Sequence, residues 1–468
     1  MNTNFINIRN IIKDAGTEAL KETAHEPKPD TPQEKQWPIE CVVGPGLEGA
    51  IACQSKVGYV NGTKGWLVYR GYNIFDLCAF STYEEVCYLL LNGCLPNQKE
   101  LSDFKQKLFE YSFMNNVMRR LMGFDIENMS VMGALRLGVN LMRTEYSDFD
   151  LIEGLPSLSD AIATDEDSIP METIPFGEKH ATFEFKMKKG RKRKTPKTER
   201  RIDKISSYDT ALQLIAGVST IIATASRLHQ NRFPLEPHPD LSFAGNLIYM
   251  TTGRRPSPIE ERIVDISLIC HADHGMNAST FATMVVASTL ADIYFSVGAG
   301  VSALSGPLHG GANLEVVKQL RQIDRVENVG KWVEEKLSQK KKISGFGHRV
   351  YKSYDPRAKI LGPLVRYLAE GSGKINRLYE VAKELERVVD KKVGAEKKIF
   401  PNVDFYSGLL YSCIGFDEEL FTPIFAASRI AGWTARAIEY LENNRIFRPR
   451  ALYIGELGNT YVPIENRG

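Results

Sequence analysis

The feature that most constrains this chain is a helical spacing of apolar residues that runs, with few breaks, from Tyr83 to Leu441. Apolar side chains that recur every three to four residues can share a buried face only on a helix. Tyr83 to Leu91 opens behind Ser81 and Thr82 as caps, Asp209 to Arg227 is rich in apolar residues, and Ile259 to Cys270 begins just after Pro256 and Pro258. Thr280 to Ser296 is apolar on most faces, which predicts one fully buried helix, and Leu361 to Leu368, Ile375 to Val389 and Ile424 to Leu441 continue the pattern. Strands do not alternate with helices, so the expected fold is mainly α and not an α/β nucleotide-binding fold. The exception is KVGYVNGTKGWLVYRGY (Lys56 to Tyr72), whose apolar alternation around Gly-Thr-Lys-Gly predicts a small hairpin near the N-terminus.

With 468 residues the chain is long enough for roughly two to four domain-sized units, which excludes a small disulfide-stapled scaffold. Its seven cysteines include no C-x-x-C pair, as expected of reduced thiols in a cytosolic-type compartment. No run approaches the ~20 consecutive apolar residues of a membrane helix, and no basic-then-apolar leader opens the chain, so a cytoplasmic protein without membrane contact is expected. Lys+Arg 59 against Asp+Glu 57 gives a formal charge of +2, but that balance hides a local excess. Lys186 to Lys204 holds eleven Lys/Arg and only Glu199 and Asp203 as acids, directly after an acidic, Pro-containing stretch. Residues 160–205 therefore read as a charged insertion, either a solvated loop or a patch for an anionic partner. Residues 1–38 read as a partly ordered tail and Pro-rich linker with one short amphipathic run, Phe5 to Ile12, and residues 457–468 as a C-terminal tail.

Polar chemistry is concentrated in Gly- and Pro-marked segments: HADHGMNAST (His271 to Thr280), GPLHGGAN (Gly306 to Asn313), GFGHRVYKSYDPR (Gly345 to Arg357) and PNVDFYSG (Pro401 to Gly408). FAASR (Phe425 to Arg429) and FRPR (Phe447 to Arg450) follow. Each has a plain alternative. His271 and His274 have i, i+3 spacing, but no third ligand follows at a supporting distance, so no metal site is expected. His309 is either a capping histidine in a tight turn or a group beside a ligand that approaches Gly310 and Gly311 closely. His348 sits in a loop able to offer amides and cations to phosphate. Asp355 could be a turn residue and Asp404 an N-cap. Taken together, histidines in three motifs with Asp404, Arg357, Arg429 and Arg448 suit an anionic polycarboxylate gripped by guanidinium forks while acid/base groups act on a neighbouring carbon.

These motifs resemble the citrate synthase family. The likeness runs from GLEGAIACQSKVGYVNGTKGWLVYRGYNIFDL (Gly46 to Leu77) through STYEEVCYLLLNGCLP (Ser81 to Pro96) and the histidine motifs to RPRALYIG (Arg448 to Gly455). It implies an Si-type acyltransferase that condenses acetyl-CoA with oxaloacetate, the reaction feeding the tricarboxylic acid cycle, with no cofactor and no metal. By resemblance, Asp404 and His309 would enolise acetyl-CoA and His348 would polarise the ketone of oxaloacetate. His274, His348, Arg357, Arg429, Arg448 and Phe425 would hold oxaloacetate, and Ile343, Gly345, Phe346, Gly347, Arg349, Lys352 and Asn402 would meet CoA. Arg448 would reach the partner's site in a homodimer or an assembly of dimers. The implied architecture is a large helical domain, residues 39–310 and 410–456, interrupted by a small helical domain, 311–409, that closes over the substrates. One departure is Gly275, where many relatives place Glu. A 2-methylcitrate synthase using propionyl-CoA is the alternative within the family, and a binding or regulatory protein using residues 186–204 is the alternative outside it; nucleic acid is not expected as a partner.

Overall fold

A computed structural model describes residues 3–27, 37, 39–146, 207–370, 373–394, 399–455 and 460–467. The charged stretch 160–205 lies outside the described residues. Met1–Glu145 and Ser207–Gly468 form one compact unit, and Tyr146–Ser206 a second that falls almost wholly outside the described residues. The first unit is mostly helical, as expected, with one three-stranded antiparallel sheet among the described residues: β1 (Gly58–Asn61), β2 (Trp66–Tyr69) and β3 (Tyr72–Asn73), in that order. β1 and β2 are the predicted hairpin, with Asn61 opposite Trp66 across the turn.

Local chemistry explains the helix ends. Thr82 Oγ1 accepts from the Glu85 amide while the Glu85 carboxylate accepts from the Thr82 amide at 2.8 Å, so the helix Tyr83–Asn92 starts with a reciprocal capping box. Ser257 and Glu260 repeat the arrangement at the start of Pro258–His271. The helix Phe421–Glu442 is the hub, buried on nearly all faces from Phe421 to Ala437. It packs against Ser207–His229, Ala278–Ser288, Ile293–Leu304, Pro258–His271 and Tyr83–Asn92. Ser207–His229 is long and apolar enough to cross a membrane by length and composition, but its side chains are spent inside this core.

Two expectations are corrected. The run Thr280 to Ser296 is not one helix. Ala278–Ser288 ends, Leu290 takes a φ of +66°, and a new helix Ile293–Leu304 begins. Asp292 forces the break: its carboxylate caps the second helix by accepting from the Phe295 amide at 2.9 Å, and it also pairs with Arg143. The N-terminal run is more than a tail. Thr3–Glu22 is a helix that lays Ile8 and Ile12, 1 % and 0 % exposed, against Ile74–Phe80 and Pro356–Ala369. Burying each isoleucine contributes about 1.5–3 kcal/mol. Lys64 fixes the end of this segment by donating from Nζ to the Thr23 carbonyl at 2.9 Å, and Tyr367 Oη donates to Asn4 at its start.

Candidate active site

The histidine motifs fall at helix ends: His271 closes Pro258–His271, His309 lies between Ile293–Leu304 and Ala312–Ile323, and His348 precedes Pro356–Ala369. Arg429 lies on the hub itself, 1 % exposed, and donates from Nε to the His271 carbonyl at the end of Pro258–His271. Its Nη2 is buried without a partner, and the guanidinium stands 4.6 Å from the Phe425 ring centroid. Burial pulls its pKa down to about 10, with Asp273 opposing. A buried, under-satisfied guanidinium of this kind is a ready partner for a carboxylate.

Arg357 is held differently. It sits in the first turn of Pro356–Ala369, and Asp355, the N-cap, grips it from two sides: Nε to Oδ1 at 3.0 Å and Nη2 to Oδ2 at 2.7 Å. Burial works against ionising Asp355, but the Arg357 charge and hydrogen bonds hold its carboxyl below the usual range. The same Oδ2 accepts from the Val403 amide at 3.2 Å, which ties the helix carrying Arg357 to Val403–Ile414, the helix carrying Asp404.

Four histidines in this region, His271, His274, His309 and His348, are held neutral, and hydrogen bonds assign the protons of three. His348 Nδ1 receives the amides of Val350 at 2.9 Å and Tyr351 at 3.2 Å; amides only donate, so its proton is on Nε2. His309 Nε2 receives the Ser279 amide at 3.3 Å and lies 2.8 Å from Ser279 Oγ, which puts its proton on Nδ1. Burial, with Arg429 adding to it, pulls His309 down to about 4. Burial likewise takes His348 to about 4, against the charge of Asp355. His274 falls well below its ordinary value through burial first and then the nearby Arg357 charge. His274 and His348 are neighbours, ring centroids 5.2 Å apart.

Asp404 is half-buried at the start of its helix. Burial pushes its pKa up to about 6, Arg357 pulls down, Asp355 pushes up, and Arg429 and Lys342 pull down. Arg357 thus acts on His271, His274, His348 and Asp404, and Arg429 on His271, His274, His309 and Asp404, so the groups form one electrostatic site.

The loop Ile343 to Gly347 is clamped beside it. Gly347 donates to the Phe400 carbonyl at 2.8 Å, Asn402 donates to the Gly345 carbonyl at 2.9 Å, and Asn402 Nδ2 donates to the Gly347 carbonyl at 3.0 Å. Phe346 packs its ring 4.7 Å from Phe405, and Ile343 and Phe346 are buried, so the clamp holds the loop in one shape. Arg349 and Lys352 are exposed on the following turn, where the Lys352 amide donates to Gly62 at the hairpin tip. Arg448 stands apart, exposed on the segment after the hub, where Nη1 donates to the Pro449 carbonyl.

Some sequence readings change in detail. The space beside Gly310 belongs to the chain itself, because a Cβ there would lie 2.2 Å from the Leu304 carbonyl oxygen and 2.7 Å from Thr422. Gly311 meets nothing closer than 3.8 Å and keeps its room. His271 and His274 face separate partners, His271 Nδ1 donating to the Ser267 carbonyl and His274 Nε2 meeting Tyr351 Oη. Gly275 has φ +61°, a backbone shape that strains a glutamate. Sequence reasoning did not single out Ser279, Tyr351, or Asp355 as the partner of Arg357. The Asp-Pro pair before a helix was the available signal for the last.

Comparison with known proteins places the chain in one family. The family model described as citrate synthase, C-terminal domain, matches residues 46–450. The citrate synthase of Acidithiobacillus ferridurans is 38 % identical over 424 residues, 90 % of this chain and 98 % of that protein. Citrate synthase 2 of Bacillus subtilis is 38 % identical over 423 residues, again 90 % of this chain and 98 % of the relative. Among solved structures, the ternary complex of Thermoplasma acidophilum citrate synthase with carboxymethyl coenzyme A and oxaloacetate superposes with a TM-score of 0.75 at 31 % identity, covering 92 % of this chain and 100 % of that one. The Pyrobaculum aerophilum citrate synthase gives 0.74 at 35 % identity, over 94 % and 100 %. With a family model matching most of the chain, a similar helical fold and relatives aligned over nearly their full length, the chain belongs to the citrate synthase family of acyltransferases.

Proposed function

We propose that this enzyme condenses acetyl-CoA with oxaloacetate and water to give citrate and CoA. The observation that carries the reading is the half-buried Asp404, with its pKa raised to about 6, in the field of two buried arginines and four neutral histidines. A thioester α-proton is weakly acidic, so a carboxylate removes it only if the developing enolate is stabilised as it forms. Asp404 takes the methyl proton while His309, protonated on Nδ1, donates to the thioester oxygen. His348, protonated on Nε2, donates to the ketone oxygen of oxaloacetate, and the enol carbon attacks the polarised carbonyl. Water then hydrolyses the citryl thioester and CoA leaves as the thiol.

Oxaloacetate is held by Arg357, Arg429 and His274 beside Phe425, with Arg448 supplied by a second copy of the chain. CoA lies along the backbone from Ile343 and Gly345 through Phe346 and Gly347, near Asn402, with Arg349 and Lys352 toward its phosphates. Neither a metal nor a cofactor enters this scheme. Residues 39–310 and 410–456 would act as the large domain, and 311–409 as the small domain that closes on oxaloacetate before the acetyl group is deprotonated.

Thiol release followed with acetyl-CoA and propionyl-CoA side by side tests the assignment. A higher kcat/KM for acetyl-CoA supports it. A preference for propionyl-CoA replaces it with 2-methylcitrate formation, since one methylene shifts selectivity by about 1–3 kcal/mol.

A further inference from the structure

Tyr351 belongs to none of the roles above, yet it touches three of the groups that have them. It is 2 % exposed, and its ring centroid lies 4.8 Å from that of His348 and 5.5 Å from that of His274. The Arg357 guanidinium stands 6.0 Å from the same centroid. Its amide is one of the two donors that fix His348, and its Oη lies 3.3 Å from His274 Nε2. Burial pushes the phenol pKa well above its ordinary value, so the hydroxyl keeps its proton. Among the described residues no protein group is hydrogen-bonded to His274 Nδ1.

We infer that Tyr351 is a positioning residue that sets the tautomer of His274, donating from Oη to Nε2 so that the imidazole proton resides on Nδ1. A neutral histidine offers a donor at one nitrogen only, and the partner of the other nitrogen decides which. Nε2 turns toward Tyr351 and Nδ1–H remains for a ligand, a carboxylate or carbonyl oxygen. The guanidinium of Arg357 lies on the face of the same phenol ring, so its approach is guided by the residue that orients the histidine. Tyr351 therefore links the imidazole and the arginine that share one anion. The link to oxaloacetate rests on the reading of His274 given above.

The experiment is Tyr351→Phe, which keeps the ring and removes the hydroxyl. Three readouts are taken: calorimetric binding of oxaloacetate, kcat and KM, and the 15N shifts of His274 in histidine-labelled enzyme, assigned by loss of the signals in His274→Gln. In the unaltered enzyme Nδ1 should show the protonated, pyrrole-type shift and Nε2 the bare, pyridine-type shift. In Tyr351→Phe the two should exchange, oxaloacetate binding should weaken about tenfold, and kcat should stay within about threefold. A protonated Nε2 in the unaltered enzyme overturns the inference without any variant. An unchanged shift pattern in Tyr351→Phe overturns it too. If the pattern exchanges but oxaloacetate binding does not move, the tautomer control stands and the assignment of His274 to oxaloacetate falls.

Discussion

The pH dependence of kcat/KM tests the proposed division of labour most directly. Asp404 titrates at about 6, while His309 and His348 are held down at about 4. Between pH 5 and 8 the base is then the one member of this trio that changes charge. At pH 7 about 91 % of Asp404 is ionised and at pH 5 about 9 %, so kcat/KM should fall about tenfold between them along a single-proton limb. Above pH 7 it should be flat until groups outside the trio intervene. The assay is initial-rate thiol release at low substrate, where the profile reports the free enzyme. The same shift has a stability consequence of opposite sign to the catalytic one. Because the folded-state pKa is raised, Asp404 contributes its full stability only below the unfolded value near 3.8, and loses it as pH rises through about 6. The shift of about two units is worth at most about 3 kcal/mol, and the partial exposure of the carboxyl brings this nearer 1–2 kcal/mol. Asp404→Asn should therefore abolish turnover, leave oxaloacetate binding intact, and resist urea better than the unaltered enzyme at pH 8 but not at pH 4. A rate limb centred near 4, a second limb between pH 5 and 8, or an Asn variant less stable at pH 8 would each refute the reasoning.

Two further outcomes follow from the packing. Arg357→Ala should weaken oxaloacetate binding and also cost about 3–5 kcal/mol in urea unfolding, because it strands the buried Asp355 carboxylate; adding Asp355→Asn should return part of the stability but none of the binding. Ile12→Ala should lower stability by about 2–5 kcal/mol on the same assay, as expected of a fully buried side chain and not of one in a disordered tail.

The sequence made the helices legible where local chemistry marks their ends, as Thr82 with Glu85 and Ser257 with Pro258 do. It misled where a single residue outweighed a long apolar pattern, as Asp292 does between two helices. The N-terminal helix was half visible. Ile8, Ile12, Ala15 and Gly16 form its buried stripe, but the short run ending at Ile12 understates it, and the partner surface on Ile74–Phe80 comes from elsewhere in the chain. The site residues were readable as motifs because their loops are marked by glycine and proline. Their pairings were not. That Asp355 grips Arg357, that Ser279 orients His309 and that Tyr351 meets His274 depend on backbone paths that apolar spacing does not encode.

The hydrogen bonds that clamp Gly345 and Gly347 to Phe400 and Asn402 make two distant stretches into one part. His348 follows one side of that clamp and Asp404 the other, so the proposed donor to the ketone and the proposed base are inherited as a single module. A chimera that takes residues 343–357 from one relative and 400–404 from another would carry both side chains and still mismatch the joint between them. Recombination within this family should therefore succeed when both stretches travel together.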